Sequence, residues 1–198
     1  MAEPTLSPAG VTLHTAHSLL RDKTPQLGGD LDANAFDLTG VGHVGFLATQ
    51  DPSAGANDLD DYEEGSWTPE IADDSLDGSG EGQAYANQLG RYTKIGNLVT
   101  FFGRVKITDL GTLTTTQSCR IVGLPFTSEN TANLFGNLQA GFGGSLAIAA
   151  GTSVSGYVAP NVAYSALQMW DFAGGATSAP ISEISVGGEL IFSGQYRV

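Results

Sequence analysis

Between residues 98 and 107 the side chains alternate. Val99, Phe101, Val105 and Ile107 fall on one parity, and Thr100, Arg104 and Lys106 on the other. A two-residue period rich in β-branched and aromatic side chains predicts a half-buried strand. Residues 90–95 predict a second strand, joined to it by a tight turn at Gly96-Asn97. Similar short runs bounded by Gly, Ser, Thr or Pro predict further strands at 67–71, 118–122, 133–142, 145–149, 162–170, 183–186 and 189–198. In the last run Leu190, Phe192, Tyr196 and Val198 share a parity, while Ile191 and Ser193 face the other way. Many short strands separated by turn residues predict a mainly β fold, a C-terminal β-sandwich with a jelly-roll-like outline.

The front of the chain reads differently. Residues 12–23 can form a short helix with Leu13, Ala16, Leu19 and Leu20 on one side, or an arm that orders against a partner. Residues 27–48 scatter their apolar groups at neither helical nor strand spacing, too few to bury themselves alone. Residues 49–65 carry Pro52, Gly55 and an acidic run, which marks a linker. The expected division is therefore an extended, partly irregular segment at 1–60 and a β domain at 61–198.

Charge sharpens that division. Residues 1–90 hold 16 Asp/Glu and 2 Lys/Arg, a balance of −14, and residues 91–198 hold 5 and 6, a balance of +1, which sum to −13 over the chain. So acidic a surface disfavours nucleic acid and anionic membranes as partners. No run of apolar residues is long enough to insert into a membrane. Gly supplies 27 of 198 residues, about twice the usual share, which suits frequent turns. The single cysteine, Cys119, reads as an inert buried thiol, because all three histidines lie in the first quarter of the chain.

Four phrases and an ending carry a family resemblance. They are Leu27-Gly-Gly-Asp-Leu-Asp, Leu59-Asp-Asp-Tyr-Glu-Glu-Gly-Ser-Trp-Thr-Pro, Gly90-Arg-Tyr-Thr-Lys-Ile-Gly-Asn-Leu-Val, Gly123-Leu-Pro-Phe and the closing Ser193-Gly-Gln-Tyr. In order and spacing the set resembles bacteriophage tail-fibre and virion spike proteins, most densely over residues 59–126. The resemblance implies a homotrimeric structural protein of the virion, on its tail or head surface. Residues 1–60 would attach it to other virion proteins and help it trimerise. The β domain would meet a glycan or protein of the host cell surface. A capsid decoration or head fibre that ignores host cells, and a spike that degrades polysaccharide, are the alternatives.

Aromatic rings are the expected ligand contacts, since sugars stack their apolar faces on Trp and Tyr. Tyr157, Tyr164, Trp170 and Phe172 stand in or near Gly/Ala/Ser-rich loops in this reading, with burial in the core as the competing role for Trp67, Trp170 and Tyr157. Arg91 and Lys94 are expected to pair across their strand or with a neighbouring chain. Asp73, Ser75, Asp77, Gly78 and Glu81 follow the spacing of a calcium loop, but Ala84 stands where the bidentate Glu belongs. The expectation is thus a solvated acidic loop and no cofactor, with Asp73 and Asp77 as the positions any Ca²⁺ would meet. The sequence contains no zinc-helix motif, phosphate-binding loop or nucleophile elbow, and a non-enzymatic role is expected.

Overall fold

The computed structural model describes residues 42–45, 61–75 and 81–198, and of residues 171 and 172 the backbone alone. The expected helix or arm at 12–23 and nearly all of the segment at 1–60 lie outside the described residues. Contacts divide the chain into residues 1–44 and 45–198, and every described strand belongs to the second unit.

Ten strands follow one another: β1 (Glu63–Trp67), β2 (Glu70–Ala72), β3 (Ala84–Ile95), β4 (Leu98–Asp109), β5 (Arg120–Val122), β6 (Gly136–Gly144), β7 (Ser153–Val158), β8 (Tyr164–Phe172), β9 (Gly175–Ser178) and β10 (Glu189–Arg197). The helical structure among the described residues is one 3-10 turn, Ile181–Glu183. The fold is mainly β, as the alternating pattern predicts.

The strands form one antiparallel sheet in the order β1-β3-β4-β10-β6-β7-β8-β5-β2, with β9 beside β8. Thr68 and Pro69 alone separate β1 from β2, which occupy opposite ends of that order. Three Cα steps span at most about 11 Å, so the sheet must curl until its two ends meet. Side chains tie the seam: the Tyr85 hydroxyl, on β3, accepts from the Ile71 N–H of β2 at 2.7 Å, and Gln83 donates to the Ile71 carbonyl at 3.0 Å. The two halves of the curled sheet enclose one core, which takes Ile71, Phe101, Ile121, Leu138, Leu167 and Phe192 from six different strands.

The phrase beginning at Gly90 owes its form to this core. Gly90 pairs with Trp67 on one side and Gly103 on the other, and Gly103 pairs with Phe192. A Cβ on Gly90 would lie 2.6 Å from the Trp67 ring, and one on Gly103 only 2.3 Å from Phe192. The two glycines thus leave room for two aromatic rings to lie on the sheet, with centroids 6.2 Å apart. Trp67 can then donate its indole N–H to the Phe102 carbonyl at 3.2 Å. At the hairpin, Gly96 has φ of +54°, a backbone region open to it because it lacks a Cβ.

The structure corrects several boundaries. The strand predicted at 67–71 is two strands broken at Thr68-Pro69, where the chain crosses between sheet ends. The stretch 145–149 alternates but has no ladder partner, and Ala147 N–H instead bonds the Glu183 carbonyl. The stretch 183–186 is not a strand: Glu183 ends a 3-10 turn, and of the alternating pair Ile184 is buried while Val186 is exposed. The alternating pattern does not predict β7 and β9: β9 carries only small side chains, and in β7 Gly156 and two serines interrupt Val154, Tyr157 and Val158.

Candidate functional site

Alternation gives the sheet an outer face as regular as its inner one. The register of β4, β10, β6, β7 and β8 aligns Thr100, Gln195, Asn137, Tyr157 and Ala166 in one cross-strand row. The adjacent row holds Phe102, Ser193, Gln139, Ser155 and Gln168. Seven of these ten side chains are exposed and the other three are half-buried. None of the ten is charged, in a chain of net charge −13. A shallow depression of about 240 Å³ lies between them, lined by Thr100, Asn137, Gln139, Ser193, Gln195 and the backbone of Gly194.

Aromatic side chains border the two rows. On one side Tyr157 packs edge-on against Phe135, with centroids 5.8 Å apart. On the other, a third row carries Ile191 beside Phe142, and Trp170 opposite Ser153. Phe135, Phe142 and Trp170 are 56%, 51% and 56% exposed, large values for rings this size. Hydrogen bonds fix several polar groups. Trp170 donates its indole N–H to Ser155 Oγ at 2.8 Å, and Asn137 Oδ1 accepts from the Gln195 N–H at 3.2 Å. The second bond turns the Asn137 NH₂ into the outward donor. Gln168 donates to the Leu167 carbonyl at 2.9 Å, which leaves its side-chain oxygen as an acceptor. The face therefore offers oriented donors and acceptors between apolar rings, a surface suited to a ligand rich in hydroxyl groups.

The sequence-predicted residues separate across this geometry. Tyr157 and Trp170 share the outer face; Trp170 lies on β8, within the strand predicted at 162–170, and Tyr157 on β7 and not in a loop. Trp67 is core at 8% exposure, whereas Trp170 is not. Tyr164 opens β8, six residues from Trp170 and so about 20 Å away along the strand. Its ring instead lies under the Arg120 guanidinium, 4.4 Å from the centroid. Phe172 closes β8 on the outer-face parity, and its side chain lies outside what the structure describes. Thr100, Phe102, Asn137, Gln139, Ser193 and Gln195 escaped the sequence reading. Their shared parity on three strands was visible, but the adjacency of those strands was not.

The acidic loop also differs from expectation. Asp73 and Glu81 are buried, at 0% and 1% exposure, and not solvated. Asp73 accepts from the N–H and hydroxyl of Ser75 and from the N–H of Thr114 at 2.8 Å. Burial works to raise the Asp73 carboxyl, but these hydrogen bonds outweigh it and hold the group well below the usual range. Burial, then the charge of Asp73, push Glu81 upward. Among the described residues Glu81 Oε2 has no hydrogen-bond partner, and no three His, Cys, Asp or Glu gather as a metal would require. Asp77 lies outside the described residues. Cys119 is fully buried, which pushes its thiol up to about 12. Lys94 pairs within its own chain, with Asp61 at 3.7 Å. No described helix is long and apolar enough to cross a membrane.

No family model matches this chain, and no curated protein matches it. A solved structure that does match is the crystal structure of the Dettilon tailspike protein (gp208), at 15% identity and a TM-score of 0.56. The match covers 69% of this chain and 24% of that one, so this chain spans about a quarter of the tailspike's length. At this identity the likeness is one of fold: the curled antiparallel sheet described above also occurs in a tailspike protein.

Proposed function

We propose that the chain is a structural component of a phage tail spike that meets the host cell surface through the outer face of its β domain. The observation that carries this reading is the uncharged, hydrogen-bonding strip that includes Tyr157 and is bordered by Phe135, Phe142 and Trp170. A face that only stayed in solvent would carry charged side chains and few exposed rings. The fold shared with a tailspike protein, and the order of phrases resembling virion spikes, support the same reading. Residues 1–60 would join it to the particle, and three copies would assemble. The activity is attachment without turnover.

Fluorescently labelled protein incubated with a panel of bacterial isolates tests this. Saturable attachment to a subset of isolates, with no release of reducing sugar, is the expected result. Release of oligosaccharide would favour the polysaccharide-degrading spike. Attachment to no isolate, with binding to phage particles, would favour a decoration protein. Light scattering of the purified chain should give the mass of three copies, and a stable monomer would contradict the trimer.

A further inference from the structure

The geometry points to an uncharged glycan as the ligand of the strip, lying across the strands with its hydroxyls on Asn137, Gln139, Ser193 and Gln195. This rests on the attachment reading above and adds the chemical class of the ligand. Five strands at a spacing of about 4.8 Å give a strip about 19 Å long. That spacing is close to the length of one sugar ring along an extended glycan, so successive rings can meet equivalent positions on successive strands.

Three features select the ligand. Amides and hydroxyls both donate and accept, as sugar hydroxyls do, and two of the amides are already oriented by the bonds at Asn137 and Gln168. The rings of Tyr157 and Trp170 stand exposed on the same face, and the bond to Ser155 restrains the indole, which lowers the cost of ordering it on binding. The strip carries no cation, so a sugar carboxylate placed on it would lose water without gaining a charged partner. The nearest charges flank it: Arg91 beside Phe102 on β3, Arg120 opposite Ala166 on β5, and Arg197 two residues beyond Gln195 on β10, which pairs with Glu129 at 3.5 Å. Arg120 is engaged over Tyr164, and Arg104 on the third row is paired with Glu189. Among the ten strip positions there is no carboxylate to act as acid or nucleophile, which suits retention of the glycan and not its cleavage.

The test uses the full chain immobilised against purified bacterial polysaccharides. One set has uncharged repeats, and the other consists of capsular polymers bearing uronic acids. The expected result is binding confined to members of the uncharged set. The exposed pair Gln139→Ala with Gln195→Ala should weaken it about tenfold, at unchanged circular dichroism and unchanged mass by light scattering. Ser193→Lys, at the centre of the strip, should shift preference toward the acidic set. Equal or tighter binding of acidic polymers by the wild type would overturn the inference, as would binding indifferent to all three substitutions. A change of oligomeric mass in the double variant would overturn it in favour of a contact between copies of this chain. If cells are bound while every uncharged polymer is ignored, the ligand class is wrong and attachment stands. If uncharged polymer is bound but no cell is, attachment fails and the ligand class stands.

Discussion

Lys94 shows how a single residue can fix where the β domain begins. Its side chain is 4% exposed and meets Asp61, whose side chain is 9% exposed, two residues before β1. It also sits 6.0 Å from the centre of the Phe126 ring. Asp61 adopts φ of +49°, a left-handed backbone uncommon for a non-glycine residue. Removing Lys94 takes away the buried cation that faces Asp61, so Lys94→Met should lower the urea midpoint of unfolding. Adding Asp61→Asn in the same chain should recover part of that loss. Equal stability of wild type and Lys94→Met would show that the pair contributes nothing to folding. A second residue pair sets a pH response. Glu81 is raised on folding, so its contribution is full below its unfolded value of about 4.3 and is lost as pH climbs through its folded value. Asp73 is lowered, so its contribution is full above its unfolded value of about 3.9 and is lost as pH falls through its folded value. The pair should stabilise the domain most in mild acid. Glu81→Gln should flatten the decline on the alkaline side, as read from urea midpoints across pH, and a profile parallel to wild type would contradict it.

Among the elements, β10 holds the sheet together. It is nine residues long and lies between β4 and β6, with a continuous ladder to β4 and one broken by a bulge between Ile191 and Phe192 to β6. It delivers Leu190, Phe192 and Tyr196 to the core, and the Tyr196 hydroxyl donates to the Phe126 carbonyl at 3.0 Å. Deleting residues 192–198 should therefore leave two unpaired sheet edges and an opened core, and yield insoluble protein. A soluble truncation product with β-type circular dichroism would contradict the central placement. The inward pattern of β10 and β4 was legible in the sequence because each strand alternates without interruption. Strands β7 and β9 were not, because β9 carries only small side chains and Gly156 interrupts the short apolar pattern of Val154 and the buried Val158 in β7. For Trp170 the sequence left ligand contact and core burial both open, and its parity on β8 decides for exposure.

For the whole molecule, curling of the sheet creates both surfaces at once. The inner face is closed by two glycines that admit Trp67 and Phe192, and the outer face keeps an uncharged strip between aromatic borders. The acidic balance of the chain resides in its first ninety residues and the ten strip positions carry no charge, so attachment by net charge is not what the strip offers. Association should accordingly change little with added salt, unlike charge-steered binding. The most direct measurement is attachment to a bacterial isolate bound by the wild type, repeated with Trp170→Ala and Tyr157→Ala at matched fold and mass. Both rings are exposed, so both variants should fold normally and lose most of their attachment. Attachment equal to wild type in both would contradict the assignment of the outer face as the surface that meets the host.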